Sequence, residues 1–501
     1  MNRPISEQRL LQSTRREFFN STACGLGAAA LGSLLTNEGM LASANAADNS
    51  AVSSPIELRV AHLPARAKSC IFFFMAGAPS QVDLFDPKPV LNERHGESLP
   101  QEVLDQARFA FIQPDTATLL GTKRKFHKHG QSGMDFSDAL PHLAGCADDL
   151  LMIRSMHSQE FNHHPGQLLM QCGVSRFGMP TMGSWMTYGL GSESADLPGY
   201  VVLSSGRGSS GGATLYQSGF LPTSYAGVLF RNSGEPVLNL ANPPGLPTRL
   251  QDRTLSTLQK LNMRRYQEVH DPEIASRIAS YELAGRMQMA APDLIDLSRE
   301  TKATLESYGI GRSDPDYSAR GASGKKDTYD SFARNCLLAR RMVERGVRFV
   351  NVIHASWDHH SNLPQELEFN AGMADQPIAA LIHDLKQRGM LDDTLVVWGS
   401  EFGRTPLGEN RQGRSSNTGR DHHPFAFSMF MAGGGFQRGL TYGATDEIGW
   451  NVVEKPVHVN DFHATLLHAF GLDHLKLTYR FQGRDFRLTD VGGRVIEEWL
   501  A

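Results

Sequence analysis

The feature that most constrains this chain is an alternation, in its last third, of short apolar runs with amphipathic segments of helical period. Ser331 to Arg345 carries apolar residues at helical spacing and is closed by Gly346, and Val347 to Ile353 follows as an apolar run of strand length. Gln376 to Arg388 predicts a helix closed by Gly389, and Thr394 to Trp398 a strand. Phe425 to Met431 (FAFSMFM) predicts another strand, broken by Gly433-Gly434-Gly435. Phe462 to Phe470 predicts a helix, with Asp461 as N-cap and Gly471 behind it. Nearer the start, Ser69 to Met75 (SCIFFFM), Leu150 to Ile153 and Pro198 to Leu203 are further candidates for buried strands. This pattern predicts an α/β fold with a mostly parallel sheet covered by helices on both faces. In such a sheet ligand sites lie in loops beyond the carboxyl ends of the strands.

Between these runs, Ser204 to Ala213 reads as a Ser/Gly loop. Residues 251–309 have Ile274, Ile278, Leu283 and Met287 at helical spacing, which predicts a helical insertion over about 251–310. Residues 311–327 are rich in Gly, Ser, Asp and Lys and predict a flexible connection.

At the other end, Thr14-Arg15-Arg16-Glu17-Phe18-Phe19 precedes a small-residue apolar stretch, Ala23 to Leu35, and small-residue cleavage sites at 42–46. These features predict a twin-arginine signal over 1–46, with the export machinery as a partner and a periplasmic or extracellular destination for one domain over 57–495. No later segment has 18 uninterrupted apolar residues, so no stable membrane span is expected. Cys24 falls in the signal, and Cys70, Cys146, Cys172 and Cys336 show no CxxC spacing, which argues against a zinc knot or a disulfide framework. A net charge of −4 excludes the basic surface that a nucleic-acid binder requires.

Chemistry-bearing residues collect next to the strands. Val347 to Ile353 runs into His354 to His360 (HASWDHH), and Thr394 to Trp398 into Gly399 to Pro406 (GSEFGRTP). Gly419 to Pro424 (GRDHHP) precedes the strand at 425, and Pro79 to Asp86 (PSQVDLFD) follows the strand at 69. Asp358 and His360 are two apart, so an extended backbone projects both to one side, toward one ion. Mixed Asp, Glu and His ligands suit zinc, manganese or calcium, the oxygen share deciding. The plainer alternative is a set of solvated loop residues. Arg404 can hold a phosphate or sulfate ester, or pair with Glu401 or Asp358 and only order the loop. Lys123 to Lys128 (KRKFHK) reads as a solvated stretch, and His458, His463, His468 and His474 as structural histidines.

Long stretches of the sequence resemble one family: AGAPSQVDLFDPKP (76–89), PTMGSWMTYGLG (180–191), ELAGRMQMAAPDLIDLSRET (282–301), LLARRMVERGVRFVNV (337–352), WDHH (357–360), SEFGRTP (400–406), GRDHHP (419–424), MAGGGFQRGLTYGATDEIG (431–449) and FHATLLHAFGLDHLKLTYRFQGRDFRLTD (462–490). On these the chain is similar, over nearly all of it beyond the signal, to the exported bacterial family known as domain-of-unknown-function family 1501. That family is itself similar to the alkaline-phosphatase-like superfamily of sulfatases, phosphatases and phosphoglycerate mutases. The resemblance implies a doubly wound sheet of alkaline-phosphatase type with one or two metal ions. It places metal ligands at the Asp83/Asp86 loop, at Asp358 with His360, at Glu401, and at His422 or His423. Two departures stand out. Glu401-Phe402 replaces the usual Asp-His pair. In HHPGQLLMQCG (163–173), His163 stands where the superfamily's nucleophile belongs and Gln167 where its arginine belongs. Ser80 is a distant alternative nucleophile, since the AGAPS turn exposes it near Asp83.

The expectation is therefore an exported hydrolase of small anionic sulfate or phosphate esters that uses a divalent metal. Asp83, Asp358, His360, Glu401 and His422 are its expected ligands, with His163 as base or nucleophile and Arg404 offsetting charge on the transferred group. The competing expectation is an exported binding or envelope-assembly protein that keeps the fold without the chemistry.

Overall fold

Strand β1 (Ser69–Ala76) is buried along its whole length, and its alternating side chains feed two separate cores. Ile71, Phe73 and Met75 pack on one face, and Cys70, Phe72 and Phe74 on the other. A strand apolar on both faces is stable only between two helical layers. In the computed structural model the described residues are 57–99, 112, 117–206, 208–238, 247–315, 327–409 and 419–501. The expected twin-arginine signal lies outside them, as does most of the expected connection at 311–327. All described residues belong to one compact unit, Ser54–Ala501.

The other strands that matter here are β2 (Leu150–His157), β3 (Tyr200–Gly206), β4 (Val228–Phe230), β5 (Phe349–Ala355), β6 (Thr394–Gly399), β7 (Gly403–Glu409), β8 (Gly419–His423), β9 (Phe427–Ala432) and β10 (Leu440–Tyr442). The main sheet has nine strands in the order β10-β2-β9-β6-β1-β5-β3-β4, with Val457–His458 also paired to β2. Every pairing is parallel except those of β9, which runs against both β2 and β6. The expected fold class holds: the sheet is mostly parallel, with helices on both faces. Periodicity gave the strand at 425–431 but not its reversed direction, because a strand buried on both faces reads the same either way.

Seven helices matter here: α1 (His163–Cys172), α2 (Met182–Leu190), α3 (Thr248–Val269), α4 (Pro272–Ile295), α5 (Thr328–Glu344), α6 (Leu363–Gln387) and α7 (Val459–Ala469). Helices α5 and α6 cover one face through Phe332, Leu337, Met373 and Ile378. Helices α1, α2 and α7 cover the other through Leu168, Trp185 and Phe462. Burying each such side chain stabilises the fold by roughly 1.5–3 kcal/mol. Helix α6 starts well before the expected Gln376. It passes through Pro377, and its first turn carries Pro364. The buried face of Leu367, Phe369, Met373 and Ile378 offsets the roughly 3 kcal/mol cost of an interior proline. In α7 the N-cap is His458, and the expected cap, Asp461, is instead its capping-box partner one turn on.

The GRDHHP stretch, expected only to precede the next strand, itself forms strand β8 as far as His423. It pairs antiparallel with β7 in a small second sheet and sets His422 opposite Arg404. Cys70, Cys146, Cys172 and Cys336 are all free and buried. Among the described residues no helix is long and apolar enough to cross a membrane.

Candidate metal centre

The carboxyl ends of β1, β5 and β6 meet at one rim. Beyond β1 the chain turns at Gly77, whose φ is +112°, a left-handed conformation natural to glycine. A Cβ there would lie 2.7 Å and 2.8 Å from the backbone nitrogens of Asp358 and Trp357. The missing side chain thus lets the loops after β1 and β5 pack against each other. Trp357 is buried and its indole N–H donates to His354 Nδ1 at 3.1 Å, anchoring the turn that presents Asp358.

Three imidazoles converge on Asp358 Oδ1. His360 Nε2 lies 2.8 Å from it, His163 Nε2 3.1 Å and His422 Nε2 3.3 Å. His360 Nε2 and His422 Nε2 are 3.0 Å apart. The candidate ligand atoms of these four residues all fall within 4.8 Å of one another. Ligands placed tetrahedrally about 2.0–2.1 Å from a zinc ion stand roughly 3.3 Å apart, so the cluster has the size of a metal's first shell.

Hydrogen bonding tests that fit. His422 Nδ1 donates to the Phe161 carbonyl at 2.7 Å, and His163 Nδ1 donates to Glu401 Oε1 at 2.8 Å. Both acceptors lack a proton of their own, so both rings carry theirs on Nδ1 and turn Nε2 toward Asp358. Burial, which outweighs hydrogen bonding to Asp358, lowers His422 to about 4, so it is neutral near pH 7 and faces a carboxylate with a lone pair. His163 Nε2 is buried and lies 3.1 Å from Asp358 Oδ1. Nitrogen and carboxylate acceptors gathered this closely are a donor set that a divalent cation takes. Without one, His163 takes the proton. Burial opposes its charge, but hydrogen bonds and attraction from Asp358 and Glu401 prevail and raise it to about 9. Burial likewise opposes the charge on Asp358, yet the three histidines and Arg404 hold its carboxyl far below the usual range. Three nitrogens and one oxygen suit zinc or manganese.

The structure therefore brings together His163, Asp358, His360 and His422. It places the other expected residues elsewhere. Glu401 stands behind the centre, fully buried. Its Oε1 accepts from Gly77 N at 2.9 Å, Gln167 Nε2 at 3.0 Å and His163 Nδ1, and its Oε2 accepts from the Ser400 hydroxyl at 2.6 Å. It orients His163 from behind the cluster. Asp83 lies outside the cluster and pairs with the buried Arg420, Nε to Oδ2 at 2.7 Å. Ser80, buried rather than exposed by its turn, donates to Asp83 Oδ2 at 2.5 Å and is not placed to attack a substrate. Asp86 pairs with Lys88 at 3.0 Å. His423 is buried and directed at the Trp450 carbonyl, which leaves His422 as the member of that pair in the cluster. Arg404 is buried: it donates to the carbonyls of Ala78, Arg420 and Gly77, and to Asp358 Oδ1 at 2.6 Å. Of its two expected roles, the ion pair with Asp358 is the one formed.

A cavity of about 380 Å³ opens beside the cluster, lined by His163, Gln167, Ser209, Ser210, Ser356 and Asp358 among others, with no Lys or Arg among its described lining residues. Sequence reasoning noted Gln167 only as a missing arginine. Its signal was position, four residues after His163 and therefore on the same helix face.

No curated protein matches the chain by sequence. Several solved structures resemble it distantly. Ps i-CgsB is 10% identical, with 81% of this chain and 72% of that one covered and a TM-score of 0.36. PsFucS1 sulfatase from Pseudoalteromonas sp. is 12% identical, with coverage of 81% and 68% and a TM-score of 0.34. A protein in the alkaline phosphatase superfamily from Vibrio parahaemolyticus is 9% identical, with coverage of 86% and 73% and a TM-score of 0.34. These likenesses are too distant to assign this chain an activity, a ligand or a residue's role. The family model for "Protein of unknown function (DUF1501)" matches residues 67–500, and the chain belongs to that family.

Proposed function

We propose that this chain is a metal-dependent hydrolase of sulfate or phosphate esters that works outside the cytoplasm. The observation that carries the reading is the convergence of His163, His360 and His422 on Asp358 Oδ1 at the mouth of a cavity. A divalent ion held there would supply Lewis-acid charge to an ester oxygen. The protein's part is to hold the four side chains before the ion arrives. Arg404 fixes the Asp358 oxygen from behind, and Glu401 and the Phe161 carbonyl fix two rings. With Ser80 tied to Asp83, the reading assigns the attack to water and needs no covalent intermediate on that hydroxyl. The destination outside the cytoplasm rests on the Thr14 to Phe19 motif.

One observation favours the binding-protein alternative: Arg404 is spent on backbone carbonyls and Asp358, and the described cavity lining has no other Arg or Lys. The two readings separate in one experiment. Purified protein is assayed for metal content and for hydrolysis of aryl sulfate and aryl phosphate panels, beside Asp358→Ala. Stoichiometric metal with turnover that the substitution abolishes supports the hydrolase. Stoichiometric metal without turnover supports the binder, and absence of metal removes the centre itself.

A further inference from the structure

Behind the metal cluster a chain of buried hydrogen bonds leads from His163 to the far wall of the cavity. Gln167 is 2% exposed. Its Oε1 accepts from Gly211 N at 2.9 Å and from the Ser210 hydroxyl at 3.0 Å, and its Nε2 donates to Glu401 Oε1 at 3.0 Å. A backbone N–H only donates, so Gly211 fixes which end of the amide faces the wall and turns the NH₂ toward Glu401. Glu401 Oε1 then receives donors from Gly77, Gln167 and His163, which leaves no place for a proton on it. His163 must therefore donate from Nδ1, which turns its Nε2 toward the cluster.

We infer that Gln167 is a positioning residue that couples the 208–211 wall of the cavity to the tautomer and orientation of His163. The inference rests on the metal reading above. It adds that the wall and the ion sense each other: a group pressing on Ser209–Ser210 shifts Gln167, then Glu401, then a ligand ring. By linkage, filling the metal site orders the wall in return.

The test uses the full chain with cobalt(II) alone as probe, reading its dissociation constant by chelator competition and its visible absorption band. Gln167→Met removes the whole link. Gln167→Glu keeps an acceptor for Ser210 and Gly211 but loses the donor to Glu401. Both variants are expected to weaken cobalt by about 10–100-fold, the usual effect of losing a residue that orients a ligand, and to shift the band. If Gln167 merely props up the wall, Gln167→Glu binds cobalt as the unaltered protein does with an unchanged band, and the inference is overturned. Should the variants not fold, ¹⁵N NMR of the unaltered protein above about pH 9, where the His163 ring is neutral, decides: the Nδ1–H tautomer supports the relay and the Nε2–H tautomer overturns it. An unaltered protein that binds no cobalt refutes the metal reading, while the tautomer measurement still tests the relay separately.

Discussion

Replacing Asp83 by Asn tests whether the expected ligand serves instead as the counter-charge of a buried arginine. Arg420 is fully buried, with Nε 2.7 Å and Nη2 3.4 Å from the Asp83 carboxylate. Charges about 4 Å apart attract by about 4 kcal/mol at an effective dielectric of 20. Removing one partner of such a buried pair typically costs about 3–5 kcal/mol, because the other charge is left uncompensated. That is a large part of a total stability of about 5–15 kcal/mol. Equilibrium denaturation at pH 7 should show this loss, and Arg420→Met should remove most of the penalty in a double-mutant cycle. The pH dependence has a definite sign. Burial raises the Asp83 carboxyl, but attraction and hydrogen bonding from Arg420, with a further bond from Ser80, outweigh it and hold it below its ordinary value. As pH falls the unfolded chain takes the proton first. The pair's contribution is thus whole above the unfolded aspartate value of about 3.9 and is lost as pH drops through the lower folded value. The gap between the two proteins should narrow only below about pH 4. A loss under about 1 kcal/mol at pH 7, the scale of an exposed pair, or a penalty that persists beside Arg420→Met, would refute the reasoning.

Other consequences are as direct. Gly77→Ala puts a Cβ against the backbone of Trp357 and Asp358 at a φ of +112°, so roughly 1–3 kcal/mol of stability should go, with weaker zinc binding by calorimetry. Arg404→Lys cannot reproduce the fork that grips Ala78, Arg420 and Asp358, and zinc affinity should fall by at least about tenfold; unchanged affinity would show that Asp358 needs no such support. Free zinc at 100 times its dissociation constant should stabilise the protein by about 2.7 kcal/mol, seen as a rise in melting temperature that chelator reverses and Asp358→Asn largely removes.

The strands and the sheet class were legible because an eight-residue run such as Ser69–Ala76 has few other places to go than between two helical layers. Of the site, Asp358 and His360 were legible from spacing alone, since two residues of one loop share a neighbourhood. His163 and His422 were found through family resemblance, because no local pattern reveals that α1 and β8 meet. What spacing cannot report is the partner a charge has already taken. Asp83, Arg404 and Glu401 all sit at strand edges as expected, yet Arg420, three carbonyls with Asp358, and four donors respectively consume them. Helix α6 was read short because Pro377 looks like a start until its buried face is known.

The two ends of the hydrogen bond between His163 and Glu401 are 238 residues apart along the chain. Such long-range closure must meet its loop entropy before the contact rewards it, so the nest is complete only when distant parts of the chain have come together. If the protein is exported already folded, as proposed above from the Thr14 to Phe19 stretch, the choice among competing metals is made from whatever the cytosol holds when the last strands dock. The compartment where the protein is built, rather than the one where it serves, then decides which element it carries.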